Sequence, residues 1–350
     1  MYPKRFGYKK GKNMKVTLRE VAKQSGLSVT TVSRALNGHD DVAEETKQAV
    51  QSVADALGYV PNLSARRLKT EKADAIGLIL PKENLRFSDP FFSDLLSGMV
   101  EQSAEYGLEL NITTSLDTEK IEETYLNYIR SRRVDGFIIV RAQHDDPRIR
   151  MLQAHDFPFV TFGHEEGVSN YPFVDDDSKM GIGLVIDHLV ALGHQRIAYI
   201  TEPRRFMKAE TRLQGFLQGM ARWGLTAVPN LIIESNFRQR SGYASTQELL
   251  DRDNPPTAIV AANDLLAIGA INAARERGLT VGKDISITGF DDILLAEYTS
   301  PPLTTVHVSP HQMGQLLCQT LYDVMNNPSA PPPHKILPPT LIIRGSTGPI

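Results

Sequence analysis

Across residues 17–37 the apolar positions fall into two short groups with helical spacing. Leu18, Val21 and Ala22 make one stripe and Val32 and Leu36 another, with Ser25, Gly26 and Leu27 between them. Intervals of three and four place side chains on one helix face. Gly26 supplies the break, because glycine enters positive φ without steric cost. Thr17 with Glu20 three residues later fits a capping box, and Ser28 stands where it would cap the second helix. Two short helices at a tight turn are the layout of a helix-turn-helix DNA reader. Thr30, Thr31, Ser33 and Arg34 are left facing outward. Small hydroxyls and one long donor suit phosphates and base edges in a major groove. A third helix is predicted over residues 42–58, with Glu44 and Glu45 in its first turn, where the helix dipole favours acids. Its Val50 and Leu57 can close a small core with Leu18, Val21, Val32 and Leu36.

The period changes downstream. Residues 59–72 form a connector in which Pro61 stops the third helix and residues 62–68 could add a short, conditional one. From residue 75, strands are predicted at 76–80, 108–113, 136–140, 159–162, 197–201, 258–262, 285–290 and 304–308. Amphipathic helices are predicted near 91–106, 119–132, 179–192, 209–223, 241–250, 264–277 and 310–326. Such alternation gives parallel sheets covered by helices. Asp175, Asp176 and Asp177 read as a polar break midway. The expected fold is therefore an all-α helix-turn-helix headpiece plus an α/β core of two doubly wound parallel-sheet lobes. The expected boundaries are an extension at 1–14, taken as disordered, a headpiece at 15–60, a hinge or linker at 61–72 and a core at 73–350. Within the core, the first lobe spans about 73–174 and 306–336, the second about 175–305 and 337–350.

Composition narrows the setting. The 350 residues are 41% hydrophobic and 23% charged, ordinary for a globular chain. Cys318 is the only cysteine, which excludes an intramolecular disulfide and fits a reducing cytoplasm. No apolar run suits a membrane span, and the basic N-terminus has no hydrophobic stretch of the secretory kind. The net charge of −3 conceals an asymmetry: residues 1–72 carry fourteen Lys/Arg against seven Asp/Glu, the remainder twenty-four against thirty-four. A basic head on an acidic body is what a DNA-facing module joined to a second module would show. There is no P-loop and no nucleophile elbow, and His307 and His311 straddle Pro310, so no enzyme, cofactor or metal is expected.

The chain resembles the LacI/GalR family of bacterial transcription regulators over residues 15–347. The resemblance is carried in order by TLREVAKQSGLSVTTVSRALNG, VAEETKQAVQSVADALGYVPN, SARRLK, AIGLIL, RVDGFII, HLVALGHQRIAYI, TRLQGF, TAIVAANDLLAIGAINAARERGL, ISITGFDD and PPLTTV. It implies a cytoplasmic homodimer with a DNA-reading headpiece, a hinge helix and a core similar to periplasmic sugar-binding proteins. Its base-reading places fall on Val29, Thr30 and Arg34, although the helical pattern leaves Val29 open between groove and core. Thr17, Ser28, Ser33 and Asn37 fall where the DNA backbone is gripped. Leu68 matches a hinge leucine that wedges into the minor groove, flanked by Ala65, Arg66 and Arg67. The effector places fall on Phe92, His164, Phe206, Arg212, Phe237, Asn263 and Asp291, with Asp264 and Asp292 as candidate helix caps. The purine-sensing branch has arginine where this chain has Phe206, which points to a saccharide. The implied partners are a pseudo-palindromic operator and a small effector, and the implied role is repression of carbohydrate genes, with a nucleobase, nucleoside or co-repressor as the alternative.

Overall fold

The computed structural model describes residues 16–59, 72–81, 89–115, 120–167 and 170–350. It divides into two units, Met1–Glu71 and Lys72–Ile350.

In the first unit, α1 (Leu18–Ser25), α2 (Val29–Leu36) and α3 (Glu44–Leu57) pack around Val21, Ala22, Val32, Ala35, Val50 and Ala54, all buried. Leu18, Leu36 and Leu57 close the rim of this cluster. Both ends of α1 and the start of α2 have a local cause. The Thr17 N–H donates to Glu20 at 2.6 Å, and Ser28 Oγ accepts from the Thr31 N–H at 3.0 Å. Gly26 closes α1 at φ 66°, in the left-handed region that glycine tolerates. A core this small leaves little margin, so these caps, each worth about 1 kcal/mol, matter to the unit.

The second unit begins with β1 (Ala75–Pro81), α4 (Pro90–Glu105), β2 (Glu109–Ser115), α5 (Ile121–Arg130), β3 (Gly136–Ile139), α6 (Pro147–Ala154), β4 (Phe159–Phe162) and β5 (Phe173–Asp176). It continues with α7 (Ser178–Ala191), β6 (Ile197–Thr201), α8 (Met207–Arg222), β7 (Ile232–Glu234), α9 (Gln239–Leu250), β8 (Ala258–Ala261), α10 (Asp264–Glu276) and β9 (Ser286–Thr288). Last come β10 (Thr305–His307), α11 (Pro310–Asn326), β11 (His334–Leu337) and β12 (Thr340–Ile342). One parallel sheet has the order β11-β5-β4-β3-β1-β2, and a second, also parallel, has β7-β6-β8-β9. Their strands are mostly buried on both faces, as parallel strands sandwiched by helices must be. The antiparallel pair β10–β12 lies where the chain passes between the two lobes.

The structure corrects several details. The chain leaves the first sheet within the acidic triplet, two residues later than the expected boundary. Asp175 and Asp176 are the buried end of β5 in the first sheet, and only Asp177 turns the chain, its side chain accepting from the Met180 N–H to cap α7. The strands β5, β7 and β11 and the helix α6 were absent from the expected set. The first lobe accordingly takes in β5 to Asp176 and β11 to Leu337. Among the described residues, no helix is long and apolar enough to cross a membrane.

Candidate functional site

Two sites are built by these units, one in each. On the headpiece, Leu18, Val29, Thr30, Ser33, Arg34 and His39 line a shallow concavity of about 370 Å³. Val29 is 42% exposed, which resolves its ambiguity: it faces out at the start of α2 while Val32, one turn on, fills the core. Thr30 and Arg34 are exposed beside it. Arg34 pairs with Asp41, its Nε donating to Oδ1 at 3.2 Å and its Nη2 to Oδ2. Thr17, Ser28 and Asn37 serve the helices themselves. Asn37 donates from Nδ2 to the Ser33 carbonyl at 2.6 Å, and the other two form the caps described above. Of the residues on this face, His39 and Asp41 carried no helical signal and were missed by the sequence. Ala65, Arg66, Arg67 and Leu68 lie outside the described residues.

The second site lies where the two lobes of the core meet. Backbone joins them directly: the Met207 N–H donates to the Ala142 carbonyl and the His144 N–H to the Arg205 carbonyl, both at 3.1 Å. Phe206 and Phe237 stand with ring centroids 5.5 Å apart, and the Arg141 guanidinium of the first lobe lies 4.2 Å from the Phe237 centroid. Arg212, on α8, is buried with its guanidinium 4.0 Å from the Phe290 centroid. It donates to the Ala262 carbonyl at 2.7 Å and to Glu202 and Ser178 at 3.3 Å, with Asp291 3.8 Å away. Burial pushes the Asp291 carboxyl well above the ordinary carboxylate range, and Arg212 pulls it back only in part. Glu202 Oε2 is buried with no hydrogen-bond partner, an acceptor whose satisfaction calls for a donor.

A second cation spans the seam. Lys208 of α8 reaches Asp175 Oδ1 at 2.5 Å and also binds Asp176, while its ammonium lies 4.5 Å from the Phe162 centroid. His164 adds its Nδ1 to Asp175 at 2.8 Å. Burial acts to raise the Asp175 carboxyl, but Lys208 and His164 prevail and hold it at about 2. Ser178 donates to Asp176, so a polar chain runs from His164 through Asp175, Lys208, Asp176 and Ser178 to Arg212.

The remaining candidates are distributed unevenly. Phe92 is buried in the apolar core with Leu95 and Met99; it is Phe91 that stacks on Phe162, at 6.0 Å. Asn263 rather than Asp264 caps α10, accepting from the Leu266 N–H at 2.9 Å. Asp264 instead accepts from the Ile293 N–H at 2.8 Å and from Thr305, its carboxyl raised to about 7 by burial. Asp292 binds Arg344 and His307, while His311 pairs with Glu101, so the two histidines have separate partners.

Residues 17–62 match the family of bacterial regulatory proteins of the lacI type, and residues 186–347 match the periplasmic binding protein-like domain. Over 340 residues the chain is 36% identical to the HTH-type transcriptional regulator AglR of Rhizobium meliloti (strain 1021), covering 96% of this chain and 95% of that one. The chain belongs to the LacI family. Its fold superposes on a lac repressor dimer bound to operator and the anti-inducer ONPF with a TM-score of 0.85 at 28% identity, covering 95% and 99% of the two chains. A CelR–cellobiose complex gives 0.74 at 30% identity with the same coverage. As a LacI-family member the chain is a DNA-binding transcriptional regulator. The aromatic pair at Phe206 and Phe237, the buried Arg212 with Asp291, and His164 are the parts of its seam that the family resemblance had marked. Arg141, Asp176, Glu202 and Lys208 are parts that only the tertiary fold reveals.

Proposed function

We propose that this regulator represses carbohydrate-utilisation genes and that a sugar-like effector bound between the core lobes sets its operator affinity. The observation that carries this reading is the seam itself. Phe206, at the start of α8, pairs with Phe237 under Arg141, and Arg212 of the same helix meets Asp291 and Glu202, one oxygen of which has no hydrogen-bond partner. Rings can stack on the apolar face of a sugar, while paired charges take its hydroxyls. The cellobiose complex of CelR supports a saccharide in a fold of this kind. On the headpiece, Val29, Thr30 and Arg34 read bases, and Ser33 with the helix caps orients the unit on the phosphates. Two copies read a pseudo-palindromic operator. The exposed Leu294, Leu295 and Tyr298, crowded on one short stretch, support a second subunit covering this face.

Two measurements test the reading. Thermal unfolding in the presence of mono- and oligosaccharides is expected to show a midpoint raised by one of them, because a ligand that binds only the folded state stabilises it. A rise with nucleobases or nucleosides and none with sugars overturns the saccharide assignment. Retention of genomic fragments identifies the operator. Against that operator an Arg34→Ala variant is expected to lose about 1–3 kcal/mol, or roughly fivefold to a hundred-and-fiftyfold in affinity, with relaxed preference at one base pair. Equal binding of all operator variants by wild type and Arg34→Ala removes arginine from base reading.

A further inference from the structure

The loop after α2 folds back on the helix it leaves. Gly38 adopts φ 71°, a conformation that side chains resist, and its N–H donates to the Ala35 carbonyl at 3.1 Å. The His39 N–H then donates to the Arg34 carbonyl at 3.1 Å, and the Val42 N–H to the His39 carbonyl at 3.2 Å. This turn returns Asp41 to the outer face of α2, where it meets Arg34. Arg34 presents the edge formed by Nε and Nη2, so the carboxylate is gripped side-on by two donors. Both partners stay about half exposed, at 44% and 55% of their side-chain area.

An exposed ion pair adds little to stability. Its geometry is the informative part. A guanidinium offers five N–H donors in a fixed plane. Side-on pairing uses Nε and one hydrogen of Nη2, and leaves the end formed by Nη1 and Nη2 with two parallel donors. That is the edge that matches guanine O6 and N7 bidentately. Hydrogen bonding from Arg34 also holds the Asp41 carboxyl below its ordinary range.

We propose that Asp41 is a positioning residue for base reading: it fixes the Arg34 side chain so that its free edge is presented to guanine in the major groove. This rests on Arg34 being a base reader. Without Asp41 the arginine side chain regains its rotamers, and the ordering must then take place on DNA, at the expense of discrimination. Asp41 also sets a negative charge near the phosphates, which weakens binding to every sequence alike. The two effects act in opposite directions on specific and non-specific binding, and that makes the role separable from simple electrostatics.

The experiment selects binding sites from a duplex library randomised around the operator, using the full chain at fixed salt. Wild type, Asp41→Asn, Asp41→Ala, Asp41→Glu, Arg34→Ala and Arg34→Ala/Asp41→Asn are compared, with thermal midpoints measured alongside. Asp41→Asn and Asp41→Ala are expected to lower the preference for guanine at one position about fivefold to tenfold. Their binding to random-sequence competitor stays equal or tightens, and Asp41→Glu recovers part of the preference. In the Arg34→Ala background the asparagine change leaves base preference unaltered. Full guanine preference in Asp41→Asn together with its loss in Arg34→Ala overturns the positioning role and leaves Arg34 as the reader. Unchanged preference in Arg34→Ala overturns the Arg34 reading and the positioning role with it. An effect of Asp41→Asn that persists without Arg34 shows Asp41 reading a base directly, which also overturns the proposal.

Discussion

An Arg212→Met variant is expected to lose on the order of 10 °C of thermal midpoint at pH 8, and with it any midpoint shift produced by effector. Methionine fills similar apolar space over the Phe290 ring but brings no charge. Glu202 and Asp291 are then left buried without their cation, and the Ala262 carbonyl without its donor. Removing one partner of a buried ion pair costs about 3–5 kcal/mol, which for a domain of this size is roughly 10 °C. The pH dependence gives the mechanism away. Burial already raises Asp291 well above its ordinary value of 3.8, with Arg212 as the main group drawing it down. Taking Arg212 away drives the carboxyl further up. A carboxyl raised in the folded state stabilises at low pH and loses that contribution as pH rises through the folded value. The deficit relative to wild type is therefore expected to be smaller at pH 5 than at pH 8. An equal deficit at both values means that lost packing, not an uncompensated carboxylate, explains the instability.

Legibility in the sequence followed the physics of each element. The headpiece was legible because its helices are short, capped and amphipathic, so spacing alone named Val21, Val32 and Val50 as core. Val29 was not decided by spacing, since it shares a face with Val32; exposure at the first turn of α2 decided it. In the core, long strands and helices were recovered to within a few residues. Two of the missed elements carry charge in buried places, and the others, β7 and β11, are short edge strands with exposed residues. The helix α6 holds Arg148, buried against Asp146 and the Val140 and Arg141 carbonyls, so its pattern has no clean apolar stripe. The strand β5 ends in two buried aspartates, which read as loop until Lys208 is seen to meet them from α8. Pairs separated by thirty-two or thirty-three positions in the chain leave no local signal. For the same reason Glu202 and Arg141 were invisible as site residues, whereas Arg212 and Phe206 were marked through motif resemblance.

Lys208 is where the strongest mechanical consequence is expected. Its ammonium belongs to the second lobe and its two carboxylates to the first, so this ion cluster ties the lobes across the seam. Lys208 and both aspartates are buried or nearly so, at 17%, 3% and 1% exposure. Lys208→Met is expected to cost about 3–5 kcal/mol, because the two buried carboxylates then lose the cation they share. Wild type holds Asp175 at about 2, below its ordinary 3.8. That depressed value contributes stability above pH 3.8 that is lost as pH falls through 2, and in the variant Asp175 moves up and the contribution goes. A triple variant, Lys208→Met with Asp175→Asn and Asp176→Asn, removes the lysine together with both carboxylates and is expected to regain most of the midpoint. The test of the tie itself is local. The N–H groups of Met207 and His144 bond from one lobe to the other, so their exchange with deuterium reports opening of the seam. In ligand-free Lys208→Met these two amides are expected to exchange at least about tenfold faster, the change that 1.4 kcal/mol of opening free energy produces, while amides inside β6 and β8 change no more than the global stability requires. Unaltered exchange at Met207 and His144 alongside a lowered midpoint would confine Lys208 to stabilising its own lobe, and the polar chain from His164 to Arg212 would then carry no coupling between the two.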